Sequence, residues 1–350
     1  MQKKNNDRKI KIQTVMIGLA ILFAVYLATI SILIYAFNSD NKIVVKTAEY
    51  IPYPIAEWGG VNFISIGKLK DNLNSAKMFY ENQDFSNLGI KIDFNSDDGK
   101  KKLAIKEKNV LNKLIENKLI ENEAKKRGIV ISSTSIAQNV SQKMKEYGSE
   151  TFLKNNLLKL YGWNLSDFEE NIVKPDMYRS ALIANLNETD PENVSAKNKI
   201  SAALDELKSG KDFEAVAKKY SEGESASSGG DLGWLSAKEM LYEMVSPVFA
   251  IKKGEYSDII KSRLGYHIVK VEDQRSENGI AELKLRQIFI RTTSFSDWLS
   301  KYEKNMNIHI FSVDFYWNKN DGQVEFKNND LKNFEDNLIK NSPGDISVLL

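Results

Sequence analysis

Two histidines, His267 and His309, are the only imidazoles in the 350 residues, and there is no cysteine. That excludes thiolate nucleophiles, disulfides and Cys-rich metal sites, and leaves too few ligands for a His-rich zinc site. No metal and no cofactor are expected. His267 lies in Gly265-Tyr266-His267-Ile268-Val269-Lys270-Val271, just after Ser262-Arg263-Leu264. Upstream come Ser228-Gly229-Gly230-Asp231-Leu232-Gly233-Trp234, then Met240, Met244, Pro247-Val248-Phe249-Ala250 and Lys253-Gly254-Glu255. Taken singly these are bland. A histidine on a strand is usually packed, Gly-Gly-Asp is an ordinary turn, and two methionines at helical spacing are core. His309 reads as an incidental strand residue. Their ordered combination carries more than any one of them.

The order and spacing of these residues between Tyr220 and Asp273 resemble the parvulin (PpiC-type) peptidyl-prolyl isomerase domain. The reaction this implies is rotation about an X–Pro bond, whose barrier of ~18–20 kcal/mol comes from amide resonance. A dry pocket for the proline ring and dipoles matched to the twisted amide lower such a barrier. The resemblance gives roles to single residues. His267 stands where parvulins place their second active-site histidine, and Ser262 matches the Ser/Thr that hydrogen-bonds toward it. Leu232, Met240, Met244, Phe249 and Leu264 match substrate-binding apolar positions, with Met244 and Leu264 where Phe is usual. Gly223 stands where the family has Cys or Asp, so a polar group is lost there. Parvulins also begin with a His-Ile-Leu strand, whereas the region before Ile200 here is polar. After the domain, Arg286-Gln287-Ile288-Phe289-Ile290 resembles that strand, with Gln287 in the histidine place. The sheet is therefore expected to be completed from residues 283–290, as in a circular permutation, because its centre would otherwise expose unpaired backbone.

The elements that must position this site follow from pattern. Val15 to Phe37 carries no charge. As a helix it is roughly 34 Å long, enough to cross a bilayer. Basic residues in segment 1–14 put the N-terminus in the cytoplasm and the rest outside. A cleaved signal peptide fits less well, because the apolar run is too long and no small-x-small site follows. Residues 42–47 read as a strand, as do 61–66. Helices are expected over 68–81, 103–127, 135–147, 150–161 and 166–186, the last kinked or bounded at Pro175. Residues 93–102 read as loop and 187–198 as a linker. Leu114-Ile115-Glu116-Asn117-Lys118-Leu119-Ile120 and Ala124-Lys125-Lys126-Arg127-Gly128-Ile129 resemble the chaperone region of SurA, PrsA and PpiD.

The fold class expected is α+β: a transmembrane helix at 15–37, a helical chaperone domain at 43–190 and helices on a small antiparallel sheet at 191–311. Residues 312–350 read as a polar, poorly ordered tail. A net charge of +2 gives no footprint for nucleic acid. The resemblance implies an extracytoplasmic isomerase and foldase held in a bacterial inner membrane through residues 15–37. Its partners would be unfolded or proline-containing exported polypeptides. The alternatives are an inactive parvulin fold that only holds chains, and a structural partner of an envelope complex.

Overall fold

The computed structural model describes residues 12–37, 39, 41–83, 93–147, 149–277 and 279–341. The basic segment before Ile12 and residues 342–350 lie outside them. Helix α1 (Ile12–Tyr35) begins slightly earlier than expected and, among the described residues, is the one helix long and apolar enough to cross a membrane. Residues 42–47 are not a strand. They open helix α2 (Lys42–Tyr50), whose first turn is capped by the Asn41 side chain accepting from the Ile43 N–H. Asn at the N-cap is the local signal that overrides the β-branched pair Val44-Val45.

Strands β1 (Pro54–Trp58) and β2 (Asn62–Ser65) form a hairpin, followed by helix α3 (Ile66–Asn82). Helix α4 (Asp97–Lys126) starts inside the segment expected as loop, because Ser96 caps it and Asp97 and Asp98 occupy its first turn. Its residues Leu111, Ile115 and Leu119, one turn apart, are fully buried. Helices α5 (Ser133–Tyr147) and α6 (Glu150–Tyr161) match their expected positions closely. Helix α7 (Leu165–Phe168) runs through a π-helical segment, Glu169–Val173, into α8 (Lys174–Thr189). The irregularity sits directly before Pro175, where the ring prevents a regular helix from continuing.

Residues 187–198 are not a linker. Helix α9 (Pro191–Lys208) starts at Pro191, with the Asp190 side chain accepting from the Glu192 and Asn193 N–H groups. Proline at N1 behind an Asp cap is a start signal, not a break. Then come α10 (Phe213–Tyr220), β3 (Asp231–Ser236), α11 (Tyr242–Phe249), β4 (Ile260–Lys261), β5 (Gly265–Glu277), β6 (Ile280–Arg291) and α12 (Phe295–Asn305). The sheet is antiparallel in the order β3-β6-β5-β4. The segment 283–290 thus lies in β6, paired on both sides.

Beyond α12 the chain does not become a tail. Strand β7 (His309–Ile310) adds to β1, β8 (Phe315–Asn318) pairs with β9 (Gln323–Phe326), and α13 (Asn329–Asn341) closes the described chain. Phe315, Val324 and Phe326 are buried in the same cluster as Leu111 and Ile115. Asn112 accepts from the Val324 N–H at 2.6 Å. Sparse alternation among many polar residues hid this hairpin.

The chain divides into two compact units, residues 1–179 with 302–350, and residues 180–301. The helical unit is therefore discontinuous in sequence. In the second unit one sheet face carries Ile268, Ile288 and Ile290 against Ile200, Leu204 and Leu207 of α9 and Phe213 and Val216 of α10. The other carries Val269, Val271, Leu283 and Leu285 against Met244 and Val248 of α11. Ile288 is fully buried. Ile288→Ala should therefore cost ~2–5 kcal/mol, read as faster amide hydrogen exchange along β5 and β6 with little change in α4.

Candidate active site

Alternation along a strand sends every second side chain to the same face. On β5 that places His267 with Val269 and Val271, on the α11 side of the sheet. On β6 it places Gln287 and Phe289 with Leu283 and Leu285. Register does the rest: His267 is paired with Phe289, and Val269 with Gln287.

The imidazole is bound at both nitrogens. Its Nε2 lies 2.7 Å from Ser262 Oγ and its Nδ1 3.2 Å from Gln287 Oε1. Ser262 Oγ accepts from the Leu264 N–H at 3.1 Å, and its own proton has two acceptors in reach, His267 Nε2 at 2.7 Å and the Gly265 carbonyl at 3.5 Å. Because Gln287 Oε1 can only accept, the proton of a neutral ring is assigned to Nδ1, leaving Nε2 to accept from Ser262. The tight Ser262–Gly265 turn, closed by the Ser262 N–H to the Gly265 carbonyl, fixes the serine. The Phe289 ring lies against the imidazole, centroids 4.8 Å apart.

His267 is 4% exposed. Burial pushes its pKa below the ordinary 6.5, while the Gln287 hydrogen bond and the Glu243 carboxylate act in the other direction. Glu243 is itself held below the usual carboxylate range, first by accepting the Arg263 N–H. A neutral imidazole is thus the resting form.

Of the residues singled out from the sequence, His267, Ser262 and Gln287 form one hydrogen-bonded chain. Leu232, Met240, Met244 and Phe249 meet in one apolar cluster on the same sheet face. Leu264 stays outside it: its backbone binds Ser262, but its side chain is 46% exposed. Phe289 was not anticipated as a site residue, although its parity with Gln287 along β6 would have placed it there. Gly223 stands beside this group. A Cβ built on it would lie 3.7 Å from Phe289 and 3.8 Å from Gln287 Nε2, ordinary van der Waals contact. Its φ of −78° suits any residue. Gly230 is different. Its φ is +80° and a Cβ would come within 2.2 Å of the Gln287 carbonyl oxygen. The Gly-Gly turn is thus required for the backbone of β6 to approach, which the Gln287 N–H to Gly230 carbonyl bond at 2.8 Å records.

Residues 182–273 match the rotamase family, the PPIC-type PPIASE domain. The chain carries a PpiC-type domain. It is 35% identical over 128 residues to the foldase protein PrsA of Geobacillus kaustophilus, covering 36% of this chain and 42% of that protein. To the chaperone SurA of Methylococcus capsulatus it is 39% identical over 111 residues, 31% of this chain and 24% of SurA. To PrsA of Bacillus subtilis it is 32% identical over 160 residues, 40% of this chain and 54% of that protein. The chain spans about half or less of the length of these relatives. The PpiC-type match contains His267 and Ser262 but ends before β6, so Gln287 and Phe289 lie outside it.

The buried imidazole makes a signed prediction. His267 is neutral when folded, so its stabilising contribution is complete above pH 6.5 and is lost as pH falls through the lower folded value. With His309→Gln leaving one imidazole, the carbon-bound proton resonances of His267 should titrate with a midpoint below 6.5. The residues 180–301 should lose stability over the same range, and His267→Gln should flatten that loss.

Proposed function

We propose that this protein is a membrane-anchored, extracytoplasmic foldase that catalyses X–Pro isomerisation in exported polypeptides. The observation that carries the reading is the Ser262–His267–Gln287 chain set on the same sheet face as the Leu232, Met240, Met244 and Phe249 cluster. The apolar side chains would receive the proline ring. Taking the prolyl amide out of water favours its twisted form, which has lost resonance and is less polar than the planar amide. His267, neutral and fixed at both nitrogens, would hold the floor of the site in one geometry rather than transfer a proton. No bond to the substrate is made or broken. X–Pro isomerisation takes tens of seconds or longer unaided, long enough for a catalyst to matter to a folding chain.

The strand with Gln287 is read as the parvulin first strand, supplied from the C-terminal side by circular permutation. Its central place between β3 and β5 supports this reading. Helix α1 would be the anchor, with the basic segment before it cytoplasmic. The helical unit, residues 43–179 with the returning 302–341, would hold extended segments of the client.

One observation favours a second reading, a holdase without catalysis. Both imidazole nitrogens are already occupied, and Gly223 and Gln287 offer no charged group. The two readings separate on full-length protein in nanodiscs, given a proline-containing peptide and an aggregation-prone unfolded protein. Isomerisation should be accelerated, and Met244→Ala should lower kcat/KM about tenfold, about 1.4 kcal/mol in the barrier. Suppressed aggregation without acceleration of isomerisation would establish the holdase instead.

A further inference from the structure

Helix α1 is more than a tether, because its last third is part of the helical unit's core. Ile30 and Ile34 are buried in one cluster with Val44 and Ala48 of α2 and with Tyr53. Three tyrosines fasten the contact. The Tyr53 hydroxyl donates to the Leu27 carbonyl at 3.2 Å, the Tyr35 hydroxyl to the Pro54 carbonyl at 2.8 Å, and Tyr26 and Thr47 share a hydrogen bond at 2.5 Å. Folded protein therefore flanks α1 from Tyr26 onward.

That creates a length conflict with the bilayer. The free part, Ile12 to Val25, rises only about 21 Å, against ~30 Å of hydrocarbon. The sequence before Ile12 offers Lys11 and Lys9 rather than more apolar length. Counting ~30 Å from Ile12 reaches about Ser31, within the docked stretch. At that level the opposite side of α1 is still apolar and open, with Ile32 56% exposed. The element packed beside it, α2, must then lie at the membrane surface.

Helix α2 is suited to that place. Its inner face buries Val44 and Ala48. Its outer face carries Ile43, Lys46 and Tyr50, spaced i, i+3 and i+7, all exposed. Lys42 and Glu49 flank them. An aliphatic residue, a tyrosine and lysines whose stems can lie along lipid while their heads reach water form an interfacial set. Neither Ile43 nor Tyr50 belongs to the core cluster.

We propose that the Ile43–Lys46–Tyr50 face of α2 is a lipid-binding surface, seated in the headgroup layer by the docking of α1 into the helical unit. The proposal rests on the reading of α1 as a membrane span. It makes the anchor a rigid mount that presents the helical unit to the bilayer in one orientation.

The absence of cysteine makes the test direct. Full-length Ile32→Cys, Ile43→Cys and Tyr50→Cys variants are labelled with an environment-sensitive fluorophore and reconstituted in phosphatidylcholine–phosphatidylglycerol vesicles. Retention through an alkaline wash reports the span independently. With α1 retained, emission at all three positions should shift to the blue and be quenched by lipid spin-labelled near the headgroup. Quenching at Ile32→Cys with water-like, unquenched emission at Ile43→Cys and Tyr50→Cys would overturn the interfacial seat and leave the anchor standing. Release of the chain by alkali would overturn the anchor and, with it, this inference.

Discussion

The backbone ladder of β6 is the constraint on which the second unit depends. A strand in the middle of a sheet must satisfy donors and acceptors on both edges, since unpaired backbone groups in a core are costly. Strand β6 does this from Glu282 to Arg286 against β3 and from Ile280 to Arg291 against β5. It also separates the two apolar layers, giving Ile288 and Ile290 to α9 and α10 and Leu283 and Leu285 to the α11 side. Gln287 is aimed at His267 because that alternation and that register leave it no other face. The polar chain is thus a by-product of a strand that the core requires anyway.

The same arrangement explains the character of the site. An imidazole buried against Phe289 cannot keep a proton cheaply, and its two nitrogens are matched by one donor and one acceptor. Such a group is a rigid dipole. It suits a transformation in which conformation changes and covalent bonds do not, and it suits a binding surface equally well. The similarity to PrsA and SurA, confined to about half or less of those proteins, is consistent with both.

Much of this was legible in the residues, and the failures share a cause. The Gly-Gly turn, the pairing of His267 with Ser262, and the strand carrying Gln287 could be read because each is short, local and strongly patterned. Helix α5 and helix α6 were legible because their apolar spacing is regular. Helix α2 was misread because Val44-Val45 favours a strand by side-chain shape, while Asn41 capping and burial of Val44 with Ala48 decide for helix. The start of helix α9 was misread as linker because residues 187–198 are polar, while Asp190 capping and Pro191 at N1 decide for helix. The β8–β9 hairpin was missed because its stabilisation comes from α4, some two hundred residues away in sequence. Phe289 was overlooked because its role depends on which residue β5 sets opposite it.

The discontinuous helical unit has a consequence for biogenesis. Chains emerge N-terminus first, and domains tend to fold as units when their parts are present. Strand β1 acquires its partner β7 only at His309, and α4 acquires the β8–β9 hairpin later still. All of Ser180–Lys301 must be made before those pieces exist. The unit of residues 180–301 is complete first, while the unit that opens the chain waits with one edge of β1 unfilled. A nascent molecule of this protein thus passes through a stage in which it is itself an unfinished polypeptide with an exposed strand edge.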